Sequence, residues 1–294
     1  MALTTSAGVL LALASAASWA LGATLYQRLG EVSAFGLNLV STVLGVLLLL
    51  PLVLHAPGPL PGNDALLELA VSGVLGIAVG DTLFFLALQR LGAHAVVVLS
   101  MLAPVVTVLL SLLLLGERPA PSAWVGAGAV LAGVSVVLGR RLLAPAEGRS
   151  EPLGLLYGGG AVLVMALGTV AAKHGVAASD ATSATLVRMA AGAAALALGG
   201  ALGGRLRGWT MPLLRGPRLS SLLVAVVVVT FGGFWCLHAA MQRVDLVLAA
   251  SVHATEPLFV LPLAWWMLGE RPSVSAWLGT ALAVGGVVTL FAAS

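Results

Sequence analysis

Three ionisable side chains stand inside long apolar runs of this chain: Asp81, Arg188 and Glu256. A charge at mid-membrane costs about 2.5 to 3.5 kcal/mol on insertion scales, so each is expected to face protein or a water-filled cavity. The carboxylates should be drawn toward Arg188, either in a binding site or as a buried pair that only holds helices together. His253 precedes Glu256 by three residues and so shares its helix face. An imidazole beside a carboxyl in a low-dielectric pocket is chemistry suited to taking up and releasing protons. Asn38 adds an amide, and Trp19, Phe84, Phe85 and Trp235 add aromatic faces for an apolar or aromatic ligand. Pro104 and Pro257 interrupt the backbone hydrogen bonding of helices, which membranes tolerate only where protein or a cavity satisfies the freed groups.

Other chemistries lack their parts. Cys236 is the single cysteine, so neither a disulfide framework nor a thiolate zinc site can be assembled. There is no His-Glu-x-x-His helix, no Gly-x-Ser-x-Gly elbow and no phosphate-binding P-loop. No cofactor, metal or catalytic residue is expected.

The elements that must position these side chains follow from composition. Of 294 residues 60% are apolar and 9% charged, whereas a water-soluble domain needs roughly 25% charged residues to cover itself. A mean hydropathy of +1.09 is the opposite of a disordered chain's signature. Lipid must be the outer solvent, and with no alternating ten-residue β pattern the fold class is all-α. A bilayer core takes about 20 apolar residues per helix. Ten such runs fit, near 6–27, 33–54, 66–89, 93–115, 121–140, 153–173, 181–202, 219–241, 245–268 and 274–293. Nothing basic precedes the first run, so it is expected to be a retained span and not a secretory signal. The net charge of +3 comes from basic residues scattered through connections, a topology signal and not a nucleic-acid patch.

The chain repeats itself. Gly116-Glu117-Arg118-Pro119, Ser122-Ala123-Trp124 and Gly126 recur as Gly269-Glu270-Arg271-Pro272, Ser275-Ala276-Trp277 and Gly279, at an offset of 153. The same offset carries Gln89-Arg90 onto Gln242-Arg243, Pro104 onto Pro257 and Gly133 onto Gly286. Two copies are expected, residues 1–145 and 146–294, each with five spans. An odd number of spans forces the second copy to enter from the opposite side, giving ten helices as two inverted repeats. Such copies can expose one central site alternately to either side, the logic of a secondary transporter. Asp81 falls on Phe234 and Glu256 on Ala103, and in the loosely aligned second and seventh spans Asn38 corresponds to Arg188. The charges are unduplicated, as a single central site requires. Gly76 with Gly80, Gly154 with Gly158, and Gly199 with Gly203 have the spacing that lets helices approach closely.

The run from Gly80-Asp81-Thr82 to Gln89-Arg90-Leu91-Gly92-Ala93, the mid-span Pro104 and the twice-used Gly-Glu-Arg resemble the EamA family of the drug/metabolite transporter superfamily. The resemblance covers the whole chain. It implies a ten-helix carrier of the inner or plasma membrane that moves a small organic metabolite, such as an amino acid, a drug or a nucleoside. The expected partners are a small-molecule substrate, the lipid bilayer and protons as a candidate coupling ion, with no nucleic acid, in a monomer or homodimer. A passive small-solute channel and a membrane-embedded enzyme are the alternatives. Ten of the Lys and Arg residues in connections fall on one side and three on the other. The positive-inside rule therefore puts the Arg205 to Arg218 connection in the cytoplasm and both termini outside.

Overall fold

The computed structural model describes residues 2–55, 61–110, 112–113, 121–143, 151–177, 179–241, 243, 252–253, 255–269 and 271–292. Its elements, in chain order, are α1 (Ala2–Arg28), α2 (Ala34–His55), α3 (Asn63–Ser72), a π-helix π1 (Gly73–Asp81), α4 (Thr82–Leu91), α5 (Ala93–Ser100), α6 (Leu102–Leu110) and α7 (Pro121–Leu143). There follow α8 (Glu151–Ala177), α9 (Ala181–Leu202), α10 (Leu206–Thr210), α11 (Pro217–Val227), a second π-helix π2 (Val228–Trp235), α12 (Cys236–Met241), α13 (Glu256–Leu268) and α14 (Val274–Ala292). No strand occurs among the described residues.

Among the described residues, six continuous helical segments are long and apolar enough to cross a membrane: Ser6–Arg28, Ala34–His55, Asn63–Leu91, Pro152–Ala172, Ala181–Leu202 and Arg218–Trp235. Trp124–Val137, Glu256–Leu268 and Val274–Thr289 are shorter apolar helices. Their outward faces carry side chains that only lipid would accept, among them Leu54, Leu67, Leu202, Leu278 and Trp266. The protein is a polytopic all-α membrane protein.

Local sequence explains where the helices stop. Gly92 has φ +81°, a left-handed conformation that costs a residue with a Cβ, and it turns the chain from α4 into α5. Gly269, at φ +71°, closes α13 in the same way. Asp180 caps α9 by accepting hydrogen bonds from Thr182 N and Ser183 N.

Some expectations shift in detail. The run 93–115 is not one helix: α5 ends at Ser100, Met101 forms a turn, and α6 begins at Leu102. Pro104 thus lies in the first turn after a break. Pro257 does likewise, because α13 starts at Glu256 directly after a turn at Thr255. Proline is tolerated in a first turn because its missing N–H would have no partner there. Glu256 accordingly opens a helix and does not sit in the middle of one. The connection from Arg205 to Arg218 contains α10, whose Trp209 stacks on Phe35 of α2 at 5.0 Å. The glycine pairs divide: the bare faces of Gly154 and Gly158 receive Leu91 and Leu99, and Gly80 receives Met165, but a Cβ on Gly199 would meet nothing. The first Gly-Glu-Arg-Pro element and Glu270 lie outside the described residues.

The packing is reciprocal between the halves. Helix α8 lies against α3, π1 and α4, while α1 lies against α11, π2 and α12. At an offset of 153, residues 73–81 of π1 fall on 226–234, which overlap π2 at 228–234. Helices α7 and α14 pack through small residues. A Cβ on Gly133 would run into Ala283 N and Gly279 O, and one on Gly286 would sit 2.5 Å from Val130 N and 2.7 Å from Gly126 O. As α7 advances from Gly126 to Gly133 its partner runs back from Gly286 to Gly279, so the two are antiparallel.

Candidate functional site

Two π-helices flank the centre of the bundle, and each has a carbonyl held by a polar side chain from another helix. A π-helix shifts the hydrogen-bond register, and a side-chain donor to one of its carbonyls ties it to the neighbouring helix. In π1 that carbonyl is Ile77 O, which accepts from Asn38 Nδ2 at 2.7 Å. The second N–H of the same amide is directed at Thr82 Oγ1 (2.9 Å), and Thr42 Oγ1 donates to Asn38 Oδ1 (3.1 Å). Asn38 is 1% exposed. In π2 the carbonyl is Gly233 O, which accepts from the buried Ser15 Oγ at 2.8 Å. The substitution Asn38→Leu is expected to cost roughly 1 to 3 kcal/mol, because a buried carbonyl and hydroxyl lose their partners at once. Thermal unfolding of the purified protein checks this; an Asn38→Leu variant as stable as the parent would show that π1 does not need the amide.

Between these helices lies a cavity of two adjoining lobes, about 190 and 360 Å³. Trp19, Ile77, Asp81, Ser100, Met165, Phe234, His253 and Glu256 line both and form the waist. The smaller lobe is walled by Tyr26, Asn38, Ser41, Thr42, Phe84, Phe85, Met189 and Thr230. The larger one takes in Arg188, Thr169, Met101, Ala103 and Pro257. Asp81, the last residue of π1, and Arg188 of α9 interact electrostatically. Arg188 reaches this place because π1 lacks side chains where α9 crosses it. A Cβ on Gly73 would strike the Arg188 carbonyl, and one on Gly76 would stand 3.5 Å from its Nη2. The Nε of Arg188 is buried with no hydrogen-bond partner among the described residues.

The aromatic walls are ordered by edge-to-face contacts, Trp19 with Phe234 at 4.8 Å and Tyr26 with Phe85 at 5.1 Å. His253 is fixed by Ser15, whose Oγ lies 3.2 Å from His253 Nδ1. A hydroxyl has one proton, and that of Ser15 is directed at Gly233 O. The imidazole must therefore donate from Nδ1, which leaves Nε2 of the neutral ring as a lone pair.

The structure thus gathers Asp81, Arg188, Glu256, His253, Asn38, Trp19, Phe84 and Phe85 around one space, with Pro257 at its edge. Trp235 stands apart: it is 39% exposed and lines an outward recess with Leu52, His55 and Phe231. Its neighbour Phe234 is the π2 aromatic that faces the waist. Pro104 lies in α6, and its side chain is outside the described residues. Sequence reading missed Ser15, Ser41, Thr42, Ser100, Met165, Met189 and Thr230. Hydroxyl and thioether side chains in an apolar helix give no spacing signal, since such groups commonly bond back to their own turn or fill gaps in packing.

Ionisable residues inside a membrane-spanning bundle are costly, and here they are turned onto an internal cavity. The family model of the EamA-like transporter family matches residues 6–139 and again 152–292. The chain belongs to that family, within the drug/metabolite transporter superfamily, and is a multi-pass membrane protein. An "Uncharacterized transporter" of Archaeoglobus fulgidus (strain ATCC 49558 / DSM 4304 / JCM 9628 / NBRC 100126 / VC-16) is 29% identical over 151 residues, 51% of this chain and 52% of that protein. The chain thus matches about half the length of that curated relative. A solved crystal structure, 23% identical, is similar in fold with a TM-score of 0.69 and covers 97% of both chains.

Proposed function

We propose that the protein is a secondary carrier that moves a small organic metabolite across the cell membrane by alternating access, with protons as the coupling ion. The observation that carries this reading is a cavity walled by both halves of the chain and lined by Asp81, Arg188 and Glu256 together. A carrier needs one solute site that either half can uncover, and here α1 and π1 from one half meet α9, π2 and α13 from the other.

The ten spans form two five-helix units, residues 1–145 and 146–294, inverted about an axis in the membrane plane. Several features support this. The family model matches twice, once in each unit. The π-helices overlap at the repeat offset, and Phe234 and Ala103, the counterparts of Asp81 and Glu256, line the same cavity. In the α7–α14 contact Gly133 meets Gly279 while Gly286 meets Gly126, each pair being the other with the copies exchanged. That self-complementary pattern is what a twofold axis generates, and an axis that exchanges antiparallel helices lies across them.

Asp81 and Glu256 are the groups that take up and release protons, Arg188 balances Asp81, and Asn38 with Ser15 hold the π-helices that carry the walls. Counterflow into proteoliposomes preloaded with pooled amino acids, nucleosides and amines is the test. Saturable exchange is expected, and Glu256→Gln is expected to lower uptake driven by a pH gradient about tenfold or more. Flux that never saturates would make the protein a pore, and a pH dependence unchanged in both Asp81→Asn and Glu256→Gln would remove proton coupling.

A further inference from the structure

Most polar groups at the waist present lone pairs to the cavity, and the Trp19 indole is the exception that presents a donor. Ser100 Oγ donates its proton to Val97 O at 2.7 Å, so its lone pairs are what remain. His253 directs Nδ1–H at Ser15, and its Nε2 accepts. Asp81 and Glu256, when ionised, only accept. The smaller lobe continues the pattern. Ser41 donates to Asn38 O, Thr42 donates to Asn38 Oδ1, and both amide hydrogens of Asn38 are used on Ile77 O and Thr82 Oγ1. Among the described residues, the donors left are Arg188 in the larger lobe, the Trp19 indole, and the Tyr26 and Thr230 hydroxyls of the smaller lobe.

Charge points the same way. Among the described lining residues two carboxylates, Asp81 and Glu256, face a single fixed cation, Arg188. A solute that satisfied this waist would bring N–H donors and a positive charge, and its remaining body would lie against Trp19, Phe84, Phe85 and Phe234. A primary ammonium has three N–H donors in a tetrahedral spread; a quaternary ammonium has the charge without donors, and an alcohol has a single donor without charge.

The geometry points to a primary-ammonium subsite at the waist, formed by Asp81, Ser100, His253 and Glu256, so that the cargo is an organic amine with a flat apolar body. This rests on the carrier reading for its physiological meaning, but binding and transport can be tested separately. Isothermal titration of the full chain in nanodiscs would compare 2-phenylethylamine, its N,N,N-trimethyl analogue and 2-phenylethanol. The amine is expected to bind about tenfold or more tightly than either analogue. In Glu256→Gln it should fall to the level of the alcohol. Equal binding of the trimethyl analogue would overturn the donor requirement, equal binding of the alcohol would overturn the charge requirement, and no binding of the amine at millimolar concentration would overturn the subsite. Counterflow of labelled 2-phenylethylamine then separates the two readings. Binding without exchange keeps the subsite and defeats the carrier; saturable exchange of other metabolites with no amine preference keeps the carrier and defeats the subsite.

Discussion

Gly286→Val will strip the protein of about 3 kcal/mol or more of stability, while Gly285→Val, one residue earlier, will cost under about 1 kcal/mol. The side chain is the same in both, and the difference lies in what it meets. At Gly286 a new Cβ finds Val130 N at 2.5 Å, Gly126 O at 2.7 Å and the Ala129 carbonyl carbon at 2.9 Å, all of them backbone atoms of α7 that cannot swing aside. At Gly285 it finds nothing within 4 Å. Helix association in lipid depends on close van der Waals packing because apolar burial gives little advantage there, so forcing α7 and α14 apart removes their main attraction. Apparent unfolding temperatures of the two variants in one detergent measure the contrast, with the Gly286→Val protein expected at least about 4 °C below the Gly285→Val protein. Equal temperatures would mean that the two helices do not meet at these glycines.

Arg188→Met will be destabilising by about 3 kcal/mol, and the double variant Asp81→Asn, Arg188→Met will recover most of that stability while remaining inactive in counterflow. Removing one partner of a buried opposite-charge pair leaves the other charge uncompensated, which costs about 3 to 5 kcal/mol, whereas removing both can be nearly neutral. Asp81 and Arg188 share the larger lobe and interact electrostatically, and Arg188 Nε has no protein partner among the described residues that could substitute. A double-mutant cycle on thermal stability isolates the coupling. Additive effects would show that the two charges do not sense each other. Recovered counterflow in the double variant would reduce the pair to a device that holds helices together, the second role that sequence reading left open for Arg188.

The separate readouts matter because stability and transport draw on the same residues for different reasons. Asn38 lines the smaller lobe, yet its hydrogen-bonding positions are engaged by Ile77, Thr82 and Thr42. It shapes the cavity by holding π1, and a ligand would find none of its hydrogens available. Asp81 and Glu256 are where cargo or a proton would act directly.

Much of this was legible in the sequence for a simple reason: in lipid a charge is rare and costly, so Asp81, Arg188 and Glu256 declare themselves against a background that is 60% apolar. Helicity was legible because a chain that must satisfy its own backbone in a membrane has few options. The offset of 153 makes Gly133 and Gly286 equivalent positions, and each lies against the opposite helix, Gly133 on Gly279 and Gly286 on Gly126. Aromatic residues were harder. Phe234 and Trp235 are adjacent, and their types do not say which one faces the cavity; the register of π2 turns Phe234 inward and leaves Trp235 on the outward recess. The π-helices left no mark in composition, because one inserted residue changes hydrogen bonding without changing hydropathy.

By itself the sequence determined the all-helical membrane-spanning class, the internal repeat and the charges that cannot face lipid, all of which follow from solvation costs carried residue by residue. Only the tertiary structure decided which hydroxyls use their protons on nearby carbonyls, that Ser15 sets the His253 ring, and that glycines on π1 admit Arg188 beside Asp81. Those outcomes depend on which helices cross and at what register, a property of packing between segments distant in the chain.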